Sequence, residues 1–159
     1  MEALDRNWRR LAGRIPAAAE ADAARIVRAF RGDIVLTPPR ASKWGSYRWR
    51  SDLGAKIFLN RDLQPEAMLI TLLHELAHAQ VKAWDGLGCA PHGAEWQKRY
   101  RELLAPFIAL PEVFSPAVAR ALQRQLHKPK ASCGAAPDLL RALRADSDQL
   151  RVEHLPEGA

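Results

Sequence analysis

His74, Glu75 and His78 stand in the order His-Glu-x-x-His, inside a run from Pro65 to about Trp84 that reads as one amphipathic helix. Leu69, Leu72, Leu73 and Leu76 recur at three- and four-residue spacing and form its apolar stripe. Pro65 suits the first helical position, where a missing N–H costs nothing. Residues four apart lie one above the other on a helix, so the two imidazoles can close on one metal ion without bending it. Glu75 is about 100° round the axis from His74. That is beside such a metal, where a general base for a metal-activated water belongs. The chemistry implied is zinc-assisted hydrolysis of a peptide bond, with Glu75 taking a proton from water and passing it to the leaving amine.

Catalytic zinc sites commonly use three protein ligands and keep one position open. After the helix, Asp85-Gly86-Leu87-Gly88-Cys89-Ala90-Pro91 reads as a loop. His92-Gly93-Ala94-Glu95-Trp96 then opens another helix, with Trp96, Tyr100, Leu103, Leu104 and Phe107 as its buried stripe. From His78 to Trp84 the first helix carries the chain roughly 9 Å away. The loop can span roughly 20 Å on the return, so His92 can be the third ligand. Glu95 is the rival, since zinc also accepts carboxylates, and Cys89 offers a thiol. His92 is preferred because Glu95 suits the first turn of a helix. The metzincin pattern does not apply, because Val81 and Trp84 stand where that class needs Gly and His.

Several elements must position these groups. Residues 2–12 predict a short basic helix ended near Gly13 and Pro16, and residues 17–31 an Ala-rich helix stopped by Gly32. Then the period changes. Asp33–Thr37, Lys43–Arg50 and Ala55–Asn60 read as strands, separated by Pro38-Pro39 and by a turn at Asp52–Gly54. Their short links predict a three-stranded antiparallel meander leading into the His-Glu-x-x-His helix. Residues 116–127, started by Ser115-Pro116, and 137–145 predict C-terminal helices, and the chain looks frayed from Asp146 onward. His127 and His154 are single histidines in polar surroundings and are not candidate ligands. The expected class is α+β.

The chain has 159 residues and a net charge of +6. Residues 1–50 carry 11 Lys/Arg against 5 Asp/Glu, whereas residues 51–159 balance at 13 each. Such asymmetry suits an acidic partner such as nucleic acid, or simply a solvated helix face. Alternation along the second strand sets Tyr47 and Trp49 on one face, and Trp44, Arg48 and Arg50 on the other. Lys43, Trp44, Arg48 and Arg50 are therefore candidate nucleic-acid contacts, combining stacking and phosphate binding. No apolar run approaches the length of a membrane span, and the N-terminus lacks the apolar block of a secretory signal. Cys89 and Cys133 make no disulfide framework. A cytoplasmic location without membrane attachment is expected.

Trp44-Gly45-Ser46, Ile57 to Leu63, Leu72 to His78 and His92-Gly93-Ala94-Glu95-Trp96 together resemble the SprT-like zinc metallopeptidase domains, in that family's order. The likeness runs from about residue 20 to residue 135. A sibling group, the YgjP-like metallopeptidases, shares the Trp-Gly-Ser strand, but it has Cys where this chain has Tyr47. The resemblance implies a small zincin-like domain over residues 17–130, with Zn2+ on His74, His78 and His92 and Glu75 as catalytic base. It leaves a basic extension at 1–16 and an appendage at 131–159, where Cys133 alone cannot make the zinc ribbon that many relatives carry. Spartan-type relatives degrade proteins crosslinked to DNA, so the resemblance also implies protein or peptide substrates and suggests DNA by analogy. Two functions are thus in view. One is a zinc-dependent peptidase; the alternative is a nucleic-acid-binding module whose zinc site is structural or inactive.

Overall fold

The computed structural model describes residues 2–86, 88–127 and 138–145, with backbone alone at 2–4. Helix α1 spans Glu2–Leu11, and a 3-10 turn at Ala17–Ala19 leads into α2, Glu20–Ala29. Strands β1 (Gly32–Thr37), β2 (Gly45–Arg50) and β3 (Gly54–Asn60) follow. Then come α3 (Pro65–Gln80), a π-helical turn (Val81–Asp85), α4 (Ala94–Ala109) and α5 (Pro116–His127). Residues 138–145 are helical and are labelled α6. Helices beside one sheet make this the expected α+β class. The domain boundary drawn at residue 131, Cys133, His154 and the segment from Asp146 lie outside the described residues.

The sheet corrects the antiparallel meander. Its order is β1-β3-β2, with β1 parallel to β3 and only the β2–β3 hairpin antiparallel. The apolar pattern explains why. Ile57 and Leu59 of β3 are fully buried, as a central strand requires, and the register sets Ile34 opposite Ile57 and Leu36 opposite Leu59. Pro38-Pro39 cannot make a tight two-residue hairpin, which needs a positive φ that proline cannot adopt. The chain instead arches from β1 over the end of β3, descends as β2 and returns between the two.

Asn60, only 2% exposed, is the peg under that arch. Its amide nitrogen donates to the carbonyls of Arg40 and Lys43 at 3.3 and 2.9 Å. Its side-chain oxygen accepts from Arg40 Nε at 2.8 Å and from Thr37 Oγ1 at 3.3 Å. Gly45 lets the descending strand press onto α3, since a Cβ there would stand 2.6 Å from Thr71 Cγ2.

β1 is an edge strand, and α1 closes it. The buried Asn7 side chain donates to the Gly32 carbonyl at 2.9 Å and accepts from the Ile34 N–H at 3.0 Å, pairing the edge as a strand would. Arg6 and Arg10 meet Asp33 at 3.4 and 3.5 Å, and Arg28 meets Asp5 at 3.1 Å, so part of the N-terminal positive charge is engaged. Leu11 and Ile15 join α2, the sheet, α3 and α4 in one core. The Ser115 hydroxyl caps α5 by accepting from the Val118 N–H at 3.3 Å. Among the described residues, no helix is long and apolar enough to cross a membrane.

Candidate metal centre

Helix α3 is buried along most of its length, from Ala67 to Leu73 and again at Leu76 and Ala77, because the sheet covers one side and α4 the other. His74 and His78 emerge at the seam, half-buried. Trp96 of α4 sits behind them. Its indole N–H donates to the His74 carbonyl at 3.2 Å, and its ring centroid lies 4.8 Å from that of His74 and 5.6 Å from that of His78. Tyr100 stacks on Trp96 at 4.8 Å, which stiffens this aromatic wall. Across the seam, the Tyr47 ring of β2 lies near-parallel to His78, with centroids 6.3 Å apart.

His92 reaches the pair by a strained turn. Ala90-Pro91-His92-Gly93 closes with a Gly93 N–H to Ala90 carbonyl bond of 3.0 Å. Pro91 fixes the second position, and His92 takes the third with φ of 60°. This is the type II arrangement, whose third residue is ordinarily glycine. A histidine there costs about 1–2 kcal/mol. Two devices hold it. Gln97 donates from its side chain to the His92 carbonyl at 3.1 Å, and Asp85 of the π-helical turn takes a two-pronged grip from Arg99 of α4, both bonds 3.1 Å. The second fastens the start of the loop to the helix that follows it.

The result is convergence of three ring nitrogens. Nε2 of His92 lies 3.1 Å from Nε2 of His78 and 3.2 Å from Nε2 of His74. A neutral imidazole nitrogen carries one proton or one lone pair, so His92 cannot complete good hydrogen bonds to both neighbours. A shared cation satisfies all three lone pairs at once. Metal–nitrogen bonds of about 2.05 Å in a tetrahedral site put neighbouring nitrogens about 3.3 Å apart. The spacing found here fits that set. Burial, then repulsion from His78 and His92, holds His74 down at about 3; burial, then repulsion from His92, holds His78 at about 4; burial also lowers His92. All three are therefore neutral and able to ligate at ordinary pH.

Glu75 lines a cavity with His74 of its own helix and with Lys43 and Trp44 of the β1–β2 arch. Only 6% exposed, its carboxyl is raised from 4.5 to about 7, chiefly by burial, with Arg40 and Lys43 pulling the other way. A carboxyl so placed exchanges a proton readily near neutrality.

Of the other candidates, Glu95 and Cys89 stay outside the nitrogen cluster, which is the three histidines alone among the described residues. Cys89 Sγ instead lies 3.7 Å from the Asp85 carbonyl. The four candidate nucleic-acid contacts separate. Lys43 and Trp44 line a cavity with His74 and Glu75, whereas Arg48 covers the Phe58 ring at 5.7 Å and Arg50 is bound to Asp52 at the hairpin end. Arg40 and Asn60, which set the arch beside Glu75, escaped the sequence reading. So did Leu139, Leu140 and Leu143, which form the far wall of that cavity. Arg40 lies in a loop with no local pattern, and the leucines are about 65 residues from Glu75, beyond any local periodicity.

Comparisons with curated proteins and with solved structures found no match to this chain. A family model described as the SprT-like family matches residues 30–113, from the end of α2 to the residues just past α4. The three histidines, Glu75, the arch and the π-helical turn all fall within that span, which is more than half of the chain, and the chain belongs to the SprT-like family.

Proposed function

We propose that this protein is a zinc-dependent peptidase, with His74, His78 and His92 as metal ligands and Glu75 as general base. The observation that carries this reading is the meeting of three neutral imidazoles with a buried carboxyl poised near neutrality, at the mouth of an open cavity. Zinc, when bound, supplies the Lewis acidity that makes water a nucleophile at neutral pH and polarises a peptide carbonyl.

The rest is done by the chain. Glu75 accepts the proton of the attacking water and returns it to the departing amine, two transfers that a carboxyl of pKa about 7 balances. Lys43 and Arg40 keep burial from raising it further. Trp96 and the strained turn at His92 fix the imidazoles before any ligand arrives, so little reorganisation remains. Among the described residues no strand pairs with the outer edge of β2, and an extended polypeptide can add there beside Tyr47.

Proteins held on DNA are the substrates we infer from the family resemblance, in a cytoplasmic setting. The alternative, a nucleic-acid-binding module with an idle zinc site, draws less support, because Arg6, Arg10, Arg28 and Arg50 already have carboxylate partners. The deciding experiment compares wild type with Glu75→Gln on a denatured protein such as casein. Both proteins should retain zinc, and only wild type should cleave. Equal cleavage by the two would dismiss the general-base role, and salt-sensitive DNA binding without any cleavage would favour the alternative.

A further inference from the structure

We propose that the cavity beside His74 and Glu75 is a side-chain subsite, selecting a substrate residue that is large and apolar and has an acidic neighbour. This rests on the peptidase reading and adds the class of sequence cleaved. The cavity is about 440 Å³, within the range of roughly 300–1,000 Å³ typical of ligand pockets. One end is the chemistry, His74 and Glu75. The other end is hydrocarbon: Trp44 from the arch, Ile70 one turn back on α3, and leucines of α6.

The far wall is fixed in place. Leu139 is fully buried and Leu143 nearly so, and Asp138 at the start of α6 is bound by Arg124 of α5 at 3.1 Å. Leu140, between the two anchors, is half-buried and lines the cavity, so its size sets what fits.

The charge at the rim names the neighbour. Lys43 from the arch and Arg144 from α6 both line the opening, both are exposed, and neither has a carboxylate within ion-pair distance among the described residues. Glu75 is the only acid in the lining, and it is buried at the reactive end. The cavity opens beside the base under Lys43 and Arg144, neither in an ion pair among the described residues, and the two complement a Glu or Asp next to the apolar residue.

The test uses full-length, zinc-loaded Glu75→Gln protein, which binds without turnover, and short fluorescent peptides measured by polarisation. Peptides with Leu beside Glu, in either order, should include one that binds on the order of ten-fold tighter than the Gly/Gln control. Adding Leu140→Trp should abolish the Leu preference by filling the space. Leu140→Ala should shift it from Leu to Trp, which keeps the idea testable if the larger side chain disturbs folding. Lys43→Glu with Arg144→Glu should turn the preference for Glu into one for Lys. Equal affinity for Leu/Glu and Gly/Gln peptides overturns the proposal, as does a preference untouched by these variants. A peptide bound with the stated preference but never cleaved by the wild-type protein would instead sink the peptidase reading and leave the subsite standing.

Discussion

Replacing Glu75 by glutamine should make the metal-stripped protein more stable at alkaline pH and not at acid pH. The carboxyl is 6% exposed and raised from 4.5 to about 7, mainly by burial. Between those values the folded state keeps a proton that the unfolded chain has released. The contribution of Glu75 to stability is therefore complete below 4.5 and is lost as the pH climbs through about 7. The interval corresponds to roughly 3 kcal/mol. Glu75→Gln has nearly the same shape and no charge to desolvate, so it escapes that loss. Relative to wild type, it should gain about 2–3 kcal/mol between about pH 5 and about pH 8. With a urea slope of about 1–3 kcal/mol per molar, the gap between unfolding midpoints should widen by on the order of 1 M. His74 and His78 titrate in both proteins and cancel in the comparison. The assay is urea unfolding in chelator at the two pH values. A gap of the same size at both would falsify the reasoning, because the carboxyl would then be as well hydrated in the fold as in the unfolded chain.

Three other outcomes follow from the same contacts. His92→Ala should lower zinc content after dialysis from about one per chain to a small fraction of that, since three-ligand closure is lost; full occupancy in the variant would exclude this imidazole from the ligand set. Asn60→Ala removes two donated and two accepted hydrogen bonds from the peg of the arch, and should cost roughly 2–4 kcal/mol in chemical unfolding. Peptidase activity should fall further than that loss of folded protein explains. Asp85→Asn releases the grip of Arg99 on the π-helical turn. Zinc affinity should drop several-fold, as the loop to His92 loses its anchor, while the unfolding midpoint barely moves; an unchanged affinity would show that the strained turn holds by itself.

What the sequence determined by itself was local. His74 and His78 share a face because helical geometry leaves no other option, and the stripe from Leu69 to Leu76 committed that helix to a core. The reach of the loop, longer than the distance the helix had carried the chain, made His92 available. Helix and strand positions were equally legible, because side-chain period, Pro65, Gly32 and the Ser115 cap are all features of neighbouring residues. Tertiary structure decided whatever depends on which surfaces meet. The parallel pairing of β1 with β3 was hidden because link length alone does not say whether a chain turns back or arches over, and the answer lay in how Asn60 and Arg40 hold the crossing. The proton affinity of Glu75 was hidden too, since it is set by desolvation under the arch and by two cations brought there from another element. Most remote of all was the cavity wall supplied by α6, because burial of Leu139 is a contest among all apolar surfaces of the fold at once, and no stretch of sequence records who wins it.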